Sequence, residues 1–209
     1  MVYNAENIKR DVRVAIDMNH NDRGLIAIGD IDTLTIDALI ESKIEDGVRR
    51  ILTECSVEYL ESGHNFGERL VRDGEGRGHI ILPDDFLRLI YFKMSDWSRG
   101  VSEAISEQDV QYQYQRSRYR CLRGNSERPV VAIVRRAEGL VLEYYSTKGE
   151  DTPISQAVYR PIPRLEGGLI EIEERLYRGC IYMIGVLTML ALNADEGSTL
   201  IEQSRSMVV

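Results

Sequence analysis

The run GEGRG at residues 74–78 is the first feature of the sequence whose composition could support chemistry. A phosphate-binding loop follows a strand, opens a helix and usually carries a Lys-Ser/Thr pair. Here His79 and a strand-like apolar run follow the glycines instead. The pattern therefore favours an exposed surface loop, which we predict for residues 61–78, over a phosphate site.

The histidines and cysteines show no spacing typical of a metal or redox site. Three widely separated cysteines also favour a reducing compartment. Asp84 and Asp85 are adjacent, and neighbours on a strand point to opposite faces, so we expect a turn rather than a carboxylate pair. The sequence thus predicts no catalytic residue, no cofactor, no metal site and no enzyme activity. The residues concerned are His20, His64, His79, Cys55, Cys121 and Cys180.

Residues 112–123, YQYQRSRYRCLR, interleave aromatic and basic side chains, and we call them the Tyr-Arg segment. Such residues can stack bases and grip phosphates, but they are also enriched in protein interfaces. The chain carries 26 Lys and Arg against 34 Asp and Glu, a formal charge of -8, which favours protein contact over nucleic acid. The predicted contact residues are Tyr112, Tyr114, Arg116, Arg118, Tyr119 and Arg120.

The apolar pattern predicts long helices at both ends of the chain. Residues 36–55 repeat apolar side chains at helical spacing, with Asp32, Thr33 and Thr35 available as caps. Residues 169–192 carry two apolar stripes, so the end of this helix needs cover from other helices or from neighbouring subunits. We also predict helices at 8–16 and 198–207 and a loop at 19–24.

The middle of the chain contains all five prolines, which favours strands and loops there. Residues 137–139 fit a hairpin connection, and residues 102–123 fit a partly helical segment. Strands are predicted at 79–82, 129–134, 140–145 and 157–163, and a strand or a short helical turn at 86–94.

These elements predict an α+β fold in which helices at about 36–55 and 169–192 pack with a central antiparallel β region at about 78–163. The 209 residues suit one domain, with a helical N-terminal region (1–60), a β-rich middle (78–163) and a helical C-terminal region (168–207).

The longest apolar stretch, residues 180–192, is shorter than the roughly 20 residues that span a bilayer. The N-terminal residues lack the apolar core of a signal peptide. We therefore expect an intracellular protein that does not bind membranes.

The order of these segments resembles the head-to-tail connector proteins of tailed bacteriophages, also called adaptor, neck or ring proteins. The resemblance rests on ILPDDFLRLIYFKMSDW, the Tyr-Arg segment, RPVVAIV, LVLEYYS and AVYRPIP, between the helix IDALIESKIEDGVRRIL and the long C-terminal helix. It covers roughly residues 30–205 and is similar in layout to the tail tubular protein A group and to the ring proteins of crAss-like phages.

The resemblance implies a structural virion protein at the head-to-tail junction, made in the host bacterial cytoplasm. Such proteins form a homo-oligomeric ring, expected here as a dodecamer, that joins the portal protein to the next tail or neck component. Genomic DNA passes through the ring without specific binding, and the negative net charge agrees with a wall that repels phosphates.

Two other functions are also compatible with the sequence. A small enzyme could assemble its site from residues that the sequence does not connect, and a pocket with perturbed ionisable groups would favour it. A regulatory nucleic-acid-binding protein could use residues 112–123, and a basic face with salt-dependent DNA affinity would favour that function.

Overall fold

A computed structural model describes residues 1–16, 35–145 and 147–192, except the side chain of Arg120. The elements in chain order are β1 (Val2–Asn4), α1 (Ala5–Ala15), α2 (Ile36–Glu54), β2 (His64–Asn65), β3 (Leu70–Gly74), β4 (Arg77–Ile81), β5 (Phe86–Met94), β6 (Ile105–Ser106), α3 (Val110–Gln115), β7 (Val131–Arg136), β8 (Gly139–Tyr144), β9 (Ile154–Pro161), β10 (Leu169–Glu171) and α4 (Tyr177–Ala191). Single turns of 3-10 helix lie at Val57–Tyr59, Arg120–Leu122 and Glu174–Leu176.

The chain has the predicted mixed α+β fold, with helices on either side of a β region in the sequence. Its contacts divide it into two compact units. We call Met1–Glu61 with Pro163–Val209 the helical unit and Ser62–Ile162 the β unit. The two predicted helical regions thus belong to one unit, and almost all of the predicted β-rich middle belongs to the other.

In the helical unit, α2 packs against α4, as predicted for residues 36–55 and 169–192. The Thr35 hydroxyl caps α2 by accepting a hydrogen bond from the Ala38 N–H at 3.2 Å. At Gly47 the two helices approach so closely that a Cβ atom would lie 2.5 Å from Cγ1 of Ile184. This position therefore needs glycine. The α2 residues at helical spacing that form the buried face are Ile36, Ile40, Ile44, Val48, Ile51 and Leu52.

The start of the C-terminal helix differs from the prediction, because α4 begins at Tyr177 rather than at residue 169. Leu169–Glu171 instead forms β10, which pairs antiparallel with Val2–Asn4. In this strand Ile170 is buried and its two neighbours are exposed, an alternation of period two that a helical stripe does not show. The predicted loop at 19–24, the helix at 198–207 and the caps Asp32 and Thr33 lie outside the described residues.

The β unit contains a five-stranded sheet of order β3-β4-β8-β7-β6 and a three-stranded sheet of order β2-β9-β5. Side chains from both sheets share one core, which includes Ile80, Phe92, Trp97 and Leu142. Residues 137 and 138 join β7 to β8 as a two-residue hairpin loop, as the sequence predicts. Residues 86–94 form one strand of nine residues rather than a helical turn.

The predicted loop at 61–78 is wrong, since it contains β2, β3 and the first residues of β4. Glu75 and Gly76 have positive φ angles of 53° and 71°, which suit the tight turn of a β-hairpin. The strand β3 lies at the sheet edge with its polar side chains exposed, which explains its loop-like composition. Among the described helices, none combines the length and apolarity needed to cross a bilayer.

Candidate functional site

The Tyr-Arg segment begins within α3, which covers the face of the five-stranded sheet opposite the main core. The ring of Tyr112 packs there with Ala132, Val134 and Val141. Tyr112 is therefore buried and fixes the segment to the sheet, which differs from the surface position expected for a contact residue.

The other predicted contact residues that the structure describes are exposed. Tyr114 and Tyr119 leave 49% and 55% of their surface open, and Arg116 and Arg118 are exposed beside them. The neighbouring Val110 and Leu122 are also exposed, at 68% and 51%. The side chain of Arg120, the sixth predicted residue, lies outside what the structure describes. We call Val110, Tyr114, Arg116, Arg118, Tyr119 and Leu122 the Tyr-Arg surface.

Hydrogen bonds from buried side chains hold the backbone beneath this surface. The buried amide of Gln115 accepts from the Gly124 N–H at 2.7 Å and donates to the Gln111 carbonyl at 3.2 Å. The buried guanidinium of Arg123 donates from Nε to the Ser117 carbonyl. The surface thus rests on a fixed base, so a partner would not need to order the segment.

Two arginines of the Tyr-Arg surface stack on tyrosine rings. The guanidinium carbon of Arg116 lies 5.9 Å from the ring centroid of Tyr112. That of Arg118 lies 5.1 Å from the ring of Tyr119, and its Nη2 donates to the Tyr119 hydroxyl at 3.0 Å. Such cation–π pairs restrain long side chains and keep their charge available to a partner.

Beneath the segment, the carboxylate of Glu143 is the centre of a buried polar network. Arg136 donates to its Oε1 from Nη2 at 2.6 Å and from Nε at 3.0 Å. The hydroxyls of Tyr145 and Tyr112 donate to its Oε2 at 2.6 Å and 3.2 Å. Burial raises the pKa of Tyr145, and the hydrogen bond to the Glu143 carboxylate raises it further. Each oxygen of Glu143 is therefore already engaged by donors.

His79 extends this network on the neighbouring strand β4, directly opposite Glu143. It is only 4% exposed, and its Nδ1 lies 2.9 Å from Nη1 of Arg136 and 3.1 Å from Oδ2 of Asp73. Its Nε2 lies 3.5 Å from Oε2 of Glu138. The histidine is thus enclosed by one cation and two carboxylates, an arrangement that joins the edge hairpin to the sheet.

A polar cavity of about 360 Å³ opens over the network. Arg77 and Arg116 line it together with Arg136, Asp73 and Glu143. Ion pairs occupy most of these charges, since Arg77 contacts Glu75 at 2.7 Å and Arg136 contacts Glu143. Apart from Arg116, the arrangement is typical of a structural ion-pair network, in which charges are compensated within the unit.

Sequence reasoning missed Arg136 and Glu143, and it did not connect them with Tyr112 or His79. The predicted hairpin at 137–139, read with the alternation of a strand, places Arg136 and Glu143 on one face of the sheet. The sequence therefore contained a signal for this pair. It contained no signal that His79 joins them, because that contact depends on the register between β4 and β8, which are separated by more than fifty residues.

The other residues considered for chemistry lie apart from one another. GEGRG forms the turn and flanking residues of the β3–β4 hairpin. Asp85 precedes β5 and accepts a hydrogen bond from Tyr159 at 2.8 Å. Within the described ranges no three His, Cys, Asp or Glu side chains are arranged to hold a metal ion. Cys55 and Cys180 are buried, and Cys121 is exposed.

Comparison with known proteins adds no family assignment. Neither a scan against models of protein families nor a search of curated proteins finds a match to this chain.

Proposed function

We propose that this chain is a structural virion protein whose copies form a ring between the portal protein and the tail of a bacteriophage. In this function the ring lines or gates the DNA path, and its surfaces bind the neighbouring copies, the portal and the next tail component. The observation that carries the proposal is the Tyr-Arg surface, an exposed aromatic and basic patch on a fixed base.

The composition of this patch supports protein contact. Tyr and Arg are the residue types that most often contribute binding energy at the centre of interfaces. Exposed large apolar side chains grouped on one surface mark interaction sites. Of the ten exposed large hydrophobic residues in the described chain, four lie between residues 110 and 122.

A closed ring is the assembly that suits such a surface. A patch on one side of a subunit that binds a different patch on the next copy makes a head-to-tail contact, which grows without limit unless rotation closes it. The order of helical and β segments, which resembles the connector proteins, favours this closed form.

The test is to locate the chain in particles. Purified virions of the phage that encodes it should contain the protein in a fixed ratio to the portal protein, measured by quantitative mass spectrometry. Electron cryo-microscopy should place it at the head-to-tail junction. Particles that lack the chain, or a chain that the portal protein never binds in reconstitution, would contradict the proposal.

A further inference from the structure

The negative charge of the chain is concentrated in one of its two units. The β unit carries 15 Lys and Arg against 14 Asp and Glu, a formal charge of +1. The helical unit carries 11 against 20, a formal charge of -9. The acidity of the whole chain is therefore a property of the helical unit alone.

The Tyr-Arg surface lies in the longest basic stretch of the β unit. Residues 110–126 contain four arginines and no acidic residue. Arg116 and Arg118 are exposed, and no carboxylate of the described chain forms an ion pair with either. Other cations of both units, such as Arg77 in the β unit and Lys9 in the helical unit, do pair with carboxylates of their own unit.

The helical unit, which carries the excess negative charge, also has exposed carboxylates without a basic partner. Glu58, Glu166 and Glu174 are exposed, and none of them forms an ion pair with the described residues. The chain thus combines a basic and aromatic surface on the β unit with a helical unit that is acidic overall. Complementary charge raises the rate of encounter and excludes wrong partners, whereas buried aromatic contact supplies most of the affinity.

We infer that the Tyr-Arg surface binds the helical unit of a second copy of this chain, so that the β unit of each copy contacts the acidic helical unit of the next. This inference rests on the proposed ring and names the contact that would build it. The contact is heterologous, since the two patches differ, and it therefore suits rotation into a closed ring. Tyr114 and Tyr119 supply its apolar contacts, and Arg116 and Arg118 pair with carboxylates of the neighbour.

The experiment uses the full chain with a photoreactive phenylalanine analogue in place of Tyr119. Copies labelled with ¹⁵N and unlabelled copies are mixed at low ionic strength, so that mass spectrometry identifies cross-links between copies. We expect position 119 of one copy to cross-link to peptides from residues 1–61 or 163–209 of another. Added salt should lower the yield, because it screens exposed charges.

Charge reversal tests complementarity directly. A basic-surface variant combines Arg116→Glu with Arg118→Glu, and an acidic-unit variant combines Glu58→Lys with Glu166→Lys and Glu174→Lys. Each variant alone opposes like charges, so the yield should fall by more than about tenfold. An equal mixture of the two variants restores opposite charges at every contact and should restore the yield.

Arg99→Glu combined with Arg135→Glu is the matched control, because both arginines are exposed in the β unit outside the Tyr-Arg segment. This control should cross-link like the wild type, and circular dichroism should confirm that all variants fold. Cross-links from position 119 to residues 62–162 of a second copy, yields that charge reversal leaves unchanged, or no cross-link between copies would overturn the inference. Protection of position 119 by DNA instead would assign the surface to nucleic acid and overturn it too.

The outcomes separate this inference from the proposed ring. Rings seen by electron microscopy whose position 119 contacts another surface would overturn the contact and leave the ring proposal intact. A chain that forms no assembly, either in solution or in particles, would overturn both.

Discussion

Glu143 shows how one buried side chain can determine the order of a surface above it. Its carboxylate accepts from Arg136, Tyr145 and Tyr112, and Tyr112 anchors the Tyr-Arg segment to the sheet. A carboxylate with 7% exposure is tolerated only because these donors replace its water. The same donors lose their partner if the charge is removed.

We therefore expect Glu143→Gln to lower the free energy of unfolding by about 2 kcal/mol, because an amide cannot accept from all three donors. Urea unfolding followed by circular dichroism measures this loss. Glu103→Gln makes the same chemical change at an exposed position and should stay within about 0.5 kcal/mol of the wild type. Equal stability of the two variants would mean that the network contributes nothing to the fold.

Tyr159 gives a pH-dependent prediction at the same scale. Burial and the hydrogen bond to Asp85 raise its pKa from 10.0 to about 12. Between these values the unfolded chain has lost the phenolic proton and the folded chain keeps it. The stabilisation is therefore complete below pH 10 and is lost as the pH rises through about 12, with a slope of about 1.4 kcal/mol per pH unit.

Tyr159→Phe removes this proton, so its unfolding free energy should fall less steeply than that of the wild type across this window. The difference between the two curves isolates Tyr159, because other buried tyrosines with raised pKa values contribute to both. Urea unfolding at successive pH values measures it. Parallel curves for Tyr159→Phe and the wild type would refute the assignment.

At the scale of elements, the contact between α2 and α4 depends on the absence of a side chain at Gly47. A Cβ atom there would meet both the side chain of Ile184 and, at 3.2 Å, its backbone. Because the backbone cannot rotate away, Gly47→Ala should force the helices apart and cost about 1–3 kcal/mol, despite the better helix propensity of alanine. Thermal unfolding measures this cost.

Ser42→Ala is the matched control for Gly47→Ala, because it introduces the same residue on the exposed side of α2. It should leave the stability within about 0.5 kcal/mol of the wild type. An alanine at position 47 that stabilised the protein would show that the helices can separate without loss.

The elements also show what the sequence could predict. The buried faces of α2, β7 and β8 have long apolar patterns, and these elements were predicted within a few residues. The edge strand β3 was not predicted, because its polar and exposed residues resemble those of a loop. The strand β10 was assigned to a helix, since Leu169, Ile172 and Leu176 also fit a helical spacing.

The candidate surface was predicted incompletely for the same reason. Composition alone indicated that residues 112–123 could make contacts. Burial of Tyr112, and its bond to Glu143 thirty-one residues away, depend on how α3 lies on the sheet. A single sequence does not show where α3 lies on the sheet. Tyr112, which anchors the segment, could therefore not be distinguished from the exposed residues that could contact a partner.

At the scale of the whole molecule, the uneven charge of the two units bears on how the chain would meet DNA. A net charge of -8 opposes association with a polyanion, whereas the arginines of the Tyr-Arg surface offer a few phosphate contacts. Affinity for duplex DNA grows steeply with the number of phosphates neutralised. A handful of contacts on an acidic protein therefore gives weak binding.

We expect the full chain to bind duplex DNA weakly, with an equal affinity for duplexes of unrelated sequence, as a wall past which DNA slides would require. Fluorescence anisotropy with two labelled duplexes at low and physiological salt measures both properties. Any residual binding at low salt should fall in the variant with Arg116→Glu and Arg118→Glu, since these are the exposed cations of the patch. The variant with Arg99→Glu and Arg135→Glu carries the same net charge and separates a local effect from a global one. Submicromolar binding to one sequence at physiological salt would contradict the structural function and favour a regulatory DNA-binding protein. Specific contacts to bases would then have to overcome the repulsion between the acidic chain and the DNA phosphates.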